Sequence, residues 1–200
     1  MSIFTNPPLI LASTSVYRRE LLERLRIPFE VVSPKVDETP LAGESSLALS
    51  LRLAHAKAAA VSKAHPDAWI IGSDQVADLC GAAIGKPGNF ERAMAQLQLM
   101  RGQVVTFYTA LCLMRGDSQT TLCVPTAVRF RKLPDDILEA YLLAEEPYDC
   151  AGSAKSEGLG ITLLEAIQSD DPTALIGLPL IALTTLLRDA GFAIPSSNHK

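Results

Sequence analysis

The first half of the chain alternates short apolar runs with longer segments in which apolar residues recur at helical spacing. The run at 9–12 and the run that begins at Ala68 are mainly aliphatic, which is typical of buried strands. Ser15 and Asn89 precede two of the periodic segments, and both residue types favour helix N-termini. We therefore predict strands at 9–12, 29–33 and from 68, with helices from 16, at 46–64 and at 89–102.

The second half of the chain predicts mainly β-structure. Residues 103–114 and 120–133 are rich in β-branched and aromatic side chains and flank the polar segment 115–119, which is typical of an antiparallel pair. Helices are predicted at 134–146 and 178–190, with a glycine-rich loop at 150–160 and a strand at 161–168 between them. Because helices and strands alternate early and β-pairing dominates later, we expect an α/β fold with a mixed sheet.

The length of 200 residues suits one domain, and we expect a single unit over 1–200 built as two lobes that share one sheet. The net charge of -4 gives no overall attraction to nucleic acid, so no nucleic-acid partner is expected. No segment approaches the roughly 20 apolar residues of a membrane span, and no signal peptide is recognisable. The four cysteines form no C-x-x-C pair and predict a reduced, cytoplasmic protein.

Polar groups interrupt the apolar elements in five predicted loops. They occupy 13–15 with Arg18 and Arg19, then 37–38, 72–75, 85–87 and 152–160, while Lys57 lies among alanines in a predicted helix. Lysines, arginines and hydroxyls bind polyphosphates, and carboxylates bind divalent cations. The combination therefore predicts a site for a phosphorylated ligand and a metal.

Most of these groups also have an ordinary structural explanation. Arg18 and Arg19 are compatible with an exposed helix face, and Asp37 with its neighbour is compatible with turn chemistry. Lys57 is compatible with a lysine whose stem packs on apolar surface. Asp74 differs, because it follows a strongly apolar strand where α/β sheets bind their ligands. The known phosphate-loop and dinucleotide-binding motifs are absent from the sequence.

Seven segments in order resemble the Maf family of nucleoside triphosphate pyrophosphatases. They read LILASTSVYRRELL, VDE, LAHAKA, IIGSDQV, GKP, AGSAKSEGLG and DPTALIGLPL, and they extend over nearly the whole chain. The resemblance implies an elongated α/β fold similar to that of inosine triphosphatases, with a cleft between two lobes. It also implies a homodimer, a divalent metal (Mg²⁺ or Mn²⁺), and hydrolysis of a nucleoside triphosphate to the monophosphate and pyrophosphate.

The resemblance also assigns roles to individual residues. Asp74 matches the catalytic proton acceptor, and Asp37 matches an acidic position of the cleft beside Glu38, where we expect the metal. The residues that match phosphate-binding positions are Ser13, Arg18, Lys57 and Lys86. In this hypothesis Asp74 accepts a proton from a water molecule that attacks the α-phosphorus.

Three further positions resemble the YceF-type subgroup, which is associated with 7-methyl-GTP. They are Tyr17, Gln75 and Glu157, although that subgroup commonly has Trp preceded by Pro where this chain has Val16 and Tyr17. An aromatic face attracts the cationic N7-methylated base, and a carboxylate accepts hydrogen bonds from the guanine edge. Tyr17 is also compatible with a packed aromatic of the first helical turn.

Two other functions stay open from the sequence. One is the commoner Maf activity on dTTP, UTP and related nucleotides. The other is a non-catalytic nucleotide-binding protein that regulates cell division. A carboxylate at position 74 favours catalysis, because simple binding of a nucleotide does not require it.

Overall fold

One seven-stranded mixed sheet forms the centre of the computed structural model, which describes residues 7–195. Two strands pair in parallel with the first strand, and all other pairings are antiparallel. The strands are β1 (Leu9–Ala12), β2 (Glu30–Val32), β3 (Trp69–Leu79), β4 (Ala82–Ile84), β5 (Val104–Arg115), β6 (Ser118–Phe130) and β7 (Leu164–Gln168). Their order is β2-β1-β3-β5-β6-β7, with β4 paired to β3. The predicted α/β fold with a mixed sheet is confirmed.

Among residues 7–195, five α-helices flank this sheet. They are α1 (Val16–Glu23), α2 (Ser46–Ser62), α3 (Phe90–Met100), α4 (Asp135–Glu145) and α5 (Leu180–Asp189). Ser15 and Asn89 cap α1 and α3 as predicted, since their side chains accept hydrogen bonds from the backbone N–H groups three residues later. Across residues 7–195, no helix combines the length and the apolar character that a membrane span needs.

Two local predictions were wrong. Residues 72–75 lie inside β3 rather than in a loop, because β5 continues to pair with β3 from Ile70 to Asp78. The parallel partner β1 already ends at Ala12, opposite Gly72. Asp74 therefore lies just beyond the carboxyl end of β1, where the sheet is open on that side. Residues 161–163, predicted as strand, belong to a 3₁₀ helix (Leu159–Leu163).

The close approach of α2 to β3 places the two elements of the site side by side. A side chain at Gly72 would collide with the backbone oxygen of Ala54 and lie 2.7 Å from the backbone nitrogen of Ala58. Only glycine permits this contact, because it has no Cβ. The helix backbone therefore packs directly on the strand, and Lys57 comes next to Asp74.

Candidate active site

A cavity of about 910 Å³ opens beyond the carboxyl end of β1. Nine of the ten predicted site residues line it: Ser13, Tyr17, Arg18, Glu38, Lys57, Asp74, Gln75, Lys86 and Glu157. The tenth, Asp37, does not line the cavity. Residues that are up to 144 positions apart in the sequence (157 − 13) thus face one volume, which is large enough for a nucleotide.

A buried ion pair lines this cavity. The Lys57 Nζ atom lies 2.6 Å from Oδ1 of Asp74 and 2.7 Å from Oε1 of Glu38. Lys57 and Asp74 are only 5% and 7% exposed, whereas Glu38 is exposed. Within residues 7–195, no group donates a hydrogen bond to Oδ2 of Asp74. One carboxylate oxygen is therefore held by the lysine, and the other is left to interact with a ligand or water.

Hydrogen-bond donors and cations cluster at the start of α1. The backbone N–H of Ser15 donates to Oγ of the buried Ser13 at 3.1 Å. Arg18 is half-buried, and its Nε donates to the carbonyl oxygen of Gly177 at 2.9 Å. Burial lowers the pKa of the Arg18 guanidinium, while Asp74 and Glu38 oppose that shift. Arginine remains a cation through such a shift, so this end of the cavity is suited to an anion.

Lys86 and Arg19 occupy different surroundings from those buried groups. Lys86 is exposed at the edge of the cavity. Arg19 is exposed on the outer face of α1 and lies 3.5 Å from the Glu23 carboxylate. Of the two adjacent arginines, only Arg18 therefore faces the cavity.

The Tyr17 ring lines the same cavity and has charged groups close to it. The Lys155 ammonium lies 5.7 Å from the centroid of the ring, within the range of a cation–π contact. The Tyr17 hydroxyl donates a long hydrogen bond of 3.4 Å to Asp149. Burial is the main cause that raises the pKa of Tyr17, so the phenol stays protonated. Burial likewise raises the pKa of the adjacent Cys150 thiol to about 11, which leaves it neutral at pH 7.

Gln75 donates structural hydrogen bonds that the sequence did not predict. Its amide nitrogen lies within 3.0 Å of Oγ1 of Thr109 and of the carbonyl oxygens of Ala174 and Leu175. The amide nitrogen is thus committed to holding the short 3₁₀ helix Ala174–Ile176. Any contact of Gln75 with a base would have to use its carbonyl oxygen Oε1.

The carboxylates at the cavity fit a metal that arrives with phosphate, and do not form a complete metal cage. In the part of the chain that the structure describes, no group of three or more His, Cys, Asp or Glu side chains is placed to hold a metal. Asp37 accepts a hydrogen bond from the backbone of Thr39 at 2.9 Å and lies outside the cavity. Glu38 and Asp74 do line it. Mg²⁺ is commonly bound by one or two carboxylates together with phosphate oxygens and water. Glu38 and Asp74 each have one oxygen paired with Lys57, so each has only its second oxygen to offer an ion.

Several residues that shape this cavity were not assigned a role from the sequence. Asp149, Cys150 and Lys155 line the cavity next to Tyr17, and Gly177 contributes the carbonyl oxygen that holds Arg18. Lys155 belongs to the glycine-rich loop at 150–160, so its neighbourhood was visible in the sequence. Its position over Tyr17 depends on tertiary packing, and no pattern in the sequence indicates it.

Comparison with known proteins gives one family and a consistent set of relatives. A family model described as Maf-like protein matches residues 8–190. A 7-methyl-GTP pyrophosphatase of Cupriavidus metallidurans is 60% identical over 194 residues, which are 96% of this chain and 98% of the relative. One of Burkholderia thailandensis is 63% identical over 193 residues, 94% of this chain and 90% of the relative. A solved HAM1 protein of Coxiella burnetii has a TM-score of 0.41 and 14% identity over 64% of this chain and 75% of that one. That weak similarity adds nothing to the fold described above.

Proposed function

Because the chain belongs to the Maf family, we propose that it hydrolyses 7-methyl-GTP to 7-methyl-GMP and pyrophosphate. The observation that carries this proposal is one cavity lined by a buried lysine–carboxylate pair, the cation Arg18 and the ring of Tyr17. The relatives described above are named for this reaction. The groups proposed to bind the triphosphate, accept the proton and bind the base are each suited to 7-methyl-GTP.

The triphosphate is assigned to the end of the cavity formed by β1 and the start of α1. Ser13, Arg18 and the N-terminal N–H groups of α1 would contact phosphate oxygens, since helix N-termini and arginine bind such anions. Lys57 and Lys86 add two positive charges from neighbouring elements. Together they offset the negative charge of a triphosphate.

Asp74 is the proposed proton acceptor. Its Oδ2 atom is not engaged by a donor within residues 7–195, and Lys57 fixes the other oxygen. In the proposed step, a water molecule transfers a proton to Asp74 as its oxygen bonds to the α-phosphorus. The bond from the α-phosphorus to the bridging oxygen breaks, and pyrophosphate leaves with the electron pair. Positioned general bases of this kind accelerate reactions by about 10²–10⁴-fold.

Glu38 would help to hold the divalent cation, Mg²⁺ or Mn²⁺, together with phosphate oxygens and water. Such an ion, when bound, supplies positive charge that stabilises the phosphate oxygens during hydrolysis. Asp37, the other predicted ligand, lies outside the cavity, so we assign it no contact with the metal.

We assign the base to the part of the cavity around Tyr17. The ring of Tyr17 already has a cation nearby, the ammonium of Lys155. N7-methylated guanine is itself a delocalised cation and would stack on the same kind of surface. The Glu157 carboxylate also lines the cavity and would accept hydrogen bonds from the guanine N1–H and amino groups.

The location of the protein is also a proposal. We infer a cytoplasmic protein, which is supported by four free cysteines, because reducing compartments keep thiols unpaired. A homodimer stays a prediction from the family resemblance.

The products of the reaction test the proposed chemistry. In isotopically labelled water, we expect 7-methyl-GMP and pyrophosphate as products, with the heavy oxygen in the monophosphate. Mass spectrometry of both products would detect it. The appearance of 7-methyl-GDP and phosphate, or of label in pyrophosphate, would contradict attack at the α-phosphorus.

A further inference from the structure

The loop that carries Glu157 is fastened to the C-terminal turn of α4. The Glu145 carboxylate accepts a hydrogen bond from the backbone N–H of Leu159 at 2.8 Å and lies 3.1 Å from the Lys155 ammonium. One turn earlier, the Tyr141 hydroxyl accepts a hydrogen bond from the backbone N–H of Lys155 at 3.0 Å. A side chain at Gly158 would lie 2.8 Å from a Glu145 oxygen, so the loop packs closely on this carboxylate.

Lys155 has two other possible partners besides Glu145. Its ammonium lies over the Tyr17 ring, and it belongs to the same loop as Glu157. The hydrogen bond with the Glu145 carboxylate is the main cause that raises the pKa of Lys155, and the nearby charges of Glu145 and Glu157 add to it. The ion pair with Glu145 is the closest of these interactions, and Glu145 does not line the cavity.

We propose that Glu145 is a positioning residue for base selection, which keeps the Lys155 ammonium from neutralising Glu157. The inference rests on the proposed function, in which Glu157 and Tyr17 receive the cationic base. With Lys155 paired to Glu145, the Glu157 carboxylate is left to interact with guanine. Without that pair, the ammonium approaches Glu157 and competes with the base for the same oxygens.

This competition acts on a cationic base more strongly than on a neutral one. A lysine that pairs with Glu157 blocks the carboxylate for either base. It also neutralises the negative charge of Glu157, which attracts the cationic methylated base more strongly than it attracts neutral guanine. Loss of Glu145 should therefore reduce the preference for 7-methyl-GTP over GTP.

The Glu145→Gln variant tests this role, because glutamine still accepts the hydrogen bond from Leu159 and loses only the charge. We expect KM for 7-methyl-GTP to rise about fivefold, because the base loses one charged contact. KM for GTP is expected to rise less, and kcat is expected to be unchanged. The double variant Glu145→Gln with Lys155→Met removes the competing ammonium. Its KM for 7-methyl-GTP is expected to return to within about twofold of the wild type.

Glu139→Gln, an exposed change on the same helix, is the matched control. A Glu145→Gln variant that behaves like this control would overturn the inference. A double variant as impaired as the single one would also overturn it, because the loss would then come from the loop anchor. If the wild type preferred dTTP, the proposed function would fail and this inference with it. Suppose instead that the wild type prefers 7-methyl-GTP, but Glu145→Gln behaves like the control or the double variant stays as impaired as the single one. The inference on Glu145 then fails, and the proposed function stands.

Discussion

The Asp74→Asn protein is expected to fold and to bind nucleotide, yet to hydrolyse 7-methyl-GTP about 10²–10⁴-fold more slowly than the wild type. Asparagine keeps the size of the side chain and an oxygen that can accept the hydrogen bond from Lys57. It has no carboxylate to accept a proton from water. The lysine also retains Glu38, 2.7 Å away, as a charged partner.

Pyrophosphate release under saturating substrate measures this loss, with circular dichroism as the check on folding. Asp78→Asn is the matched control, because Asp78 lies on the same strand, contacts Ser46 and does not line the cavity. We expect that control to stay within about twofold of the wild type, as is usual for changes outside the site. Turnover of the Asp74→Asn variant within tenfold of the wild type would remove Asp74 from the catalytic role.

The second large effect is expected from Lys57→Met, which removes the cation between two carboxylates. Removing one partner of a buried ion pair leaves an uncompensated charge and costs about 3–5 kcal/mol. Because Glu38 is exposed, we expect the lower end, a fall of about 3 kcal/mol in the free energy of unfolding. Activity should fall with it, since the variant also lacks a proposed phosphate contact.

Urea unfolding of two further variants separates these effects. In the double variant Lys57→Met with Asp74→Asn, both charges are absent, so most of the lost stability should return while activity does not. Lys86→Met changes an exposed lysine of the same cavity and should raise KM without affecting stability. If the single Lys57→Met variant were as stable as the wild type, the buried pair would not contribute to the fold as described.

The elements of this protein were largely predictable because their signals are local. Apolar runs, helical periodicity and the caps Ser15 and Asn89 depend on neighbours in the sequence, and the structure has them where predicted. One exception was the segment around Asp74, which reads as a loop because polar residues follow an apolar run. Its strand conformation comes from pairing with β5, which lies more than 30 residues further along the chain.

The cavity was predictable only in part, for a related reason. The sequence and the family resemblance pointed to Lys57 and Asp74, but gave no sign that their charges meet at 2.6 Å in the interior. That contact depends on the close approach of α2 at Gly72. The ion pair of Lys155 with Glu145 joins a loop and a helix, and no spacing rule relates such residues.

The central claim is that one cavity recognises a triphosphate and a positively charged guanine together. The most direct measurement is pyrophosphate release from 7-methyl-GTP, GTP, dTTP and UTP, each assayed separately over a range of concentrations with Mg²⁺ and with Mn²⁺. We predict the highest kcat/KM for 7-methyl-GTP, with the difference from GTP mainly in KM, because stacking on Tyr17 and the contact with Glu157 act in binding. A higher kcat/KM for dTTP or UTP than for 7-methyl-GTP would contradict the account.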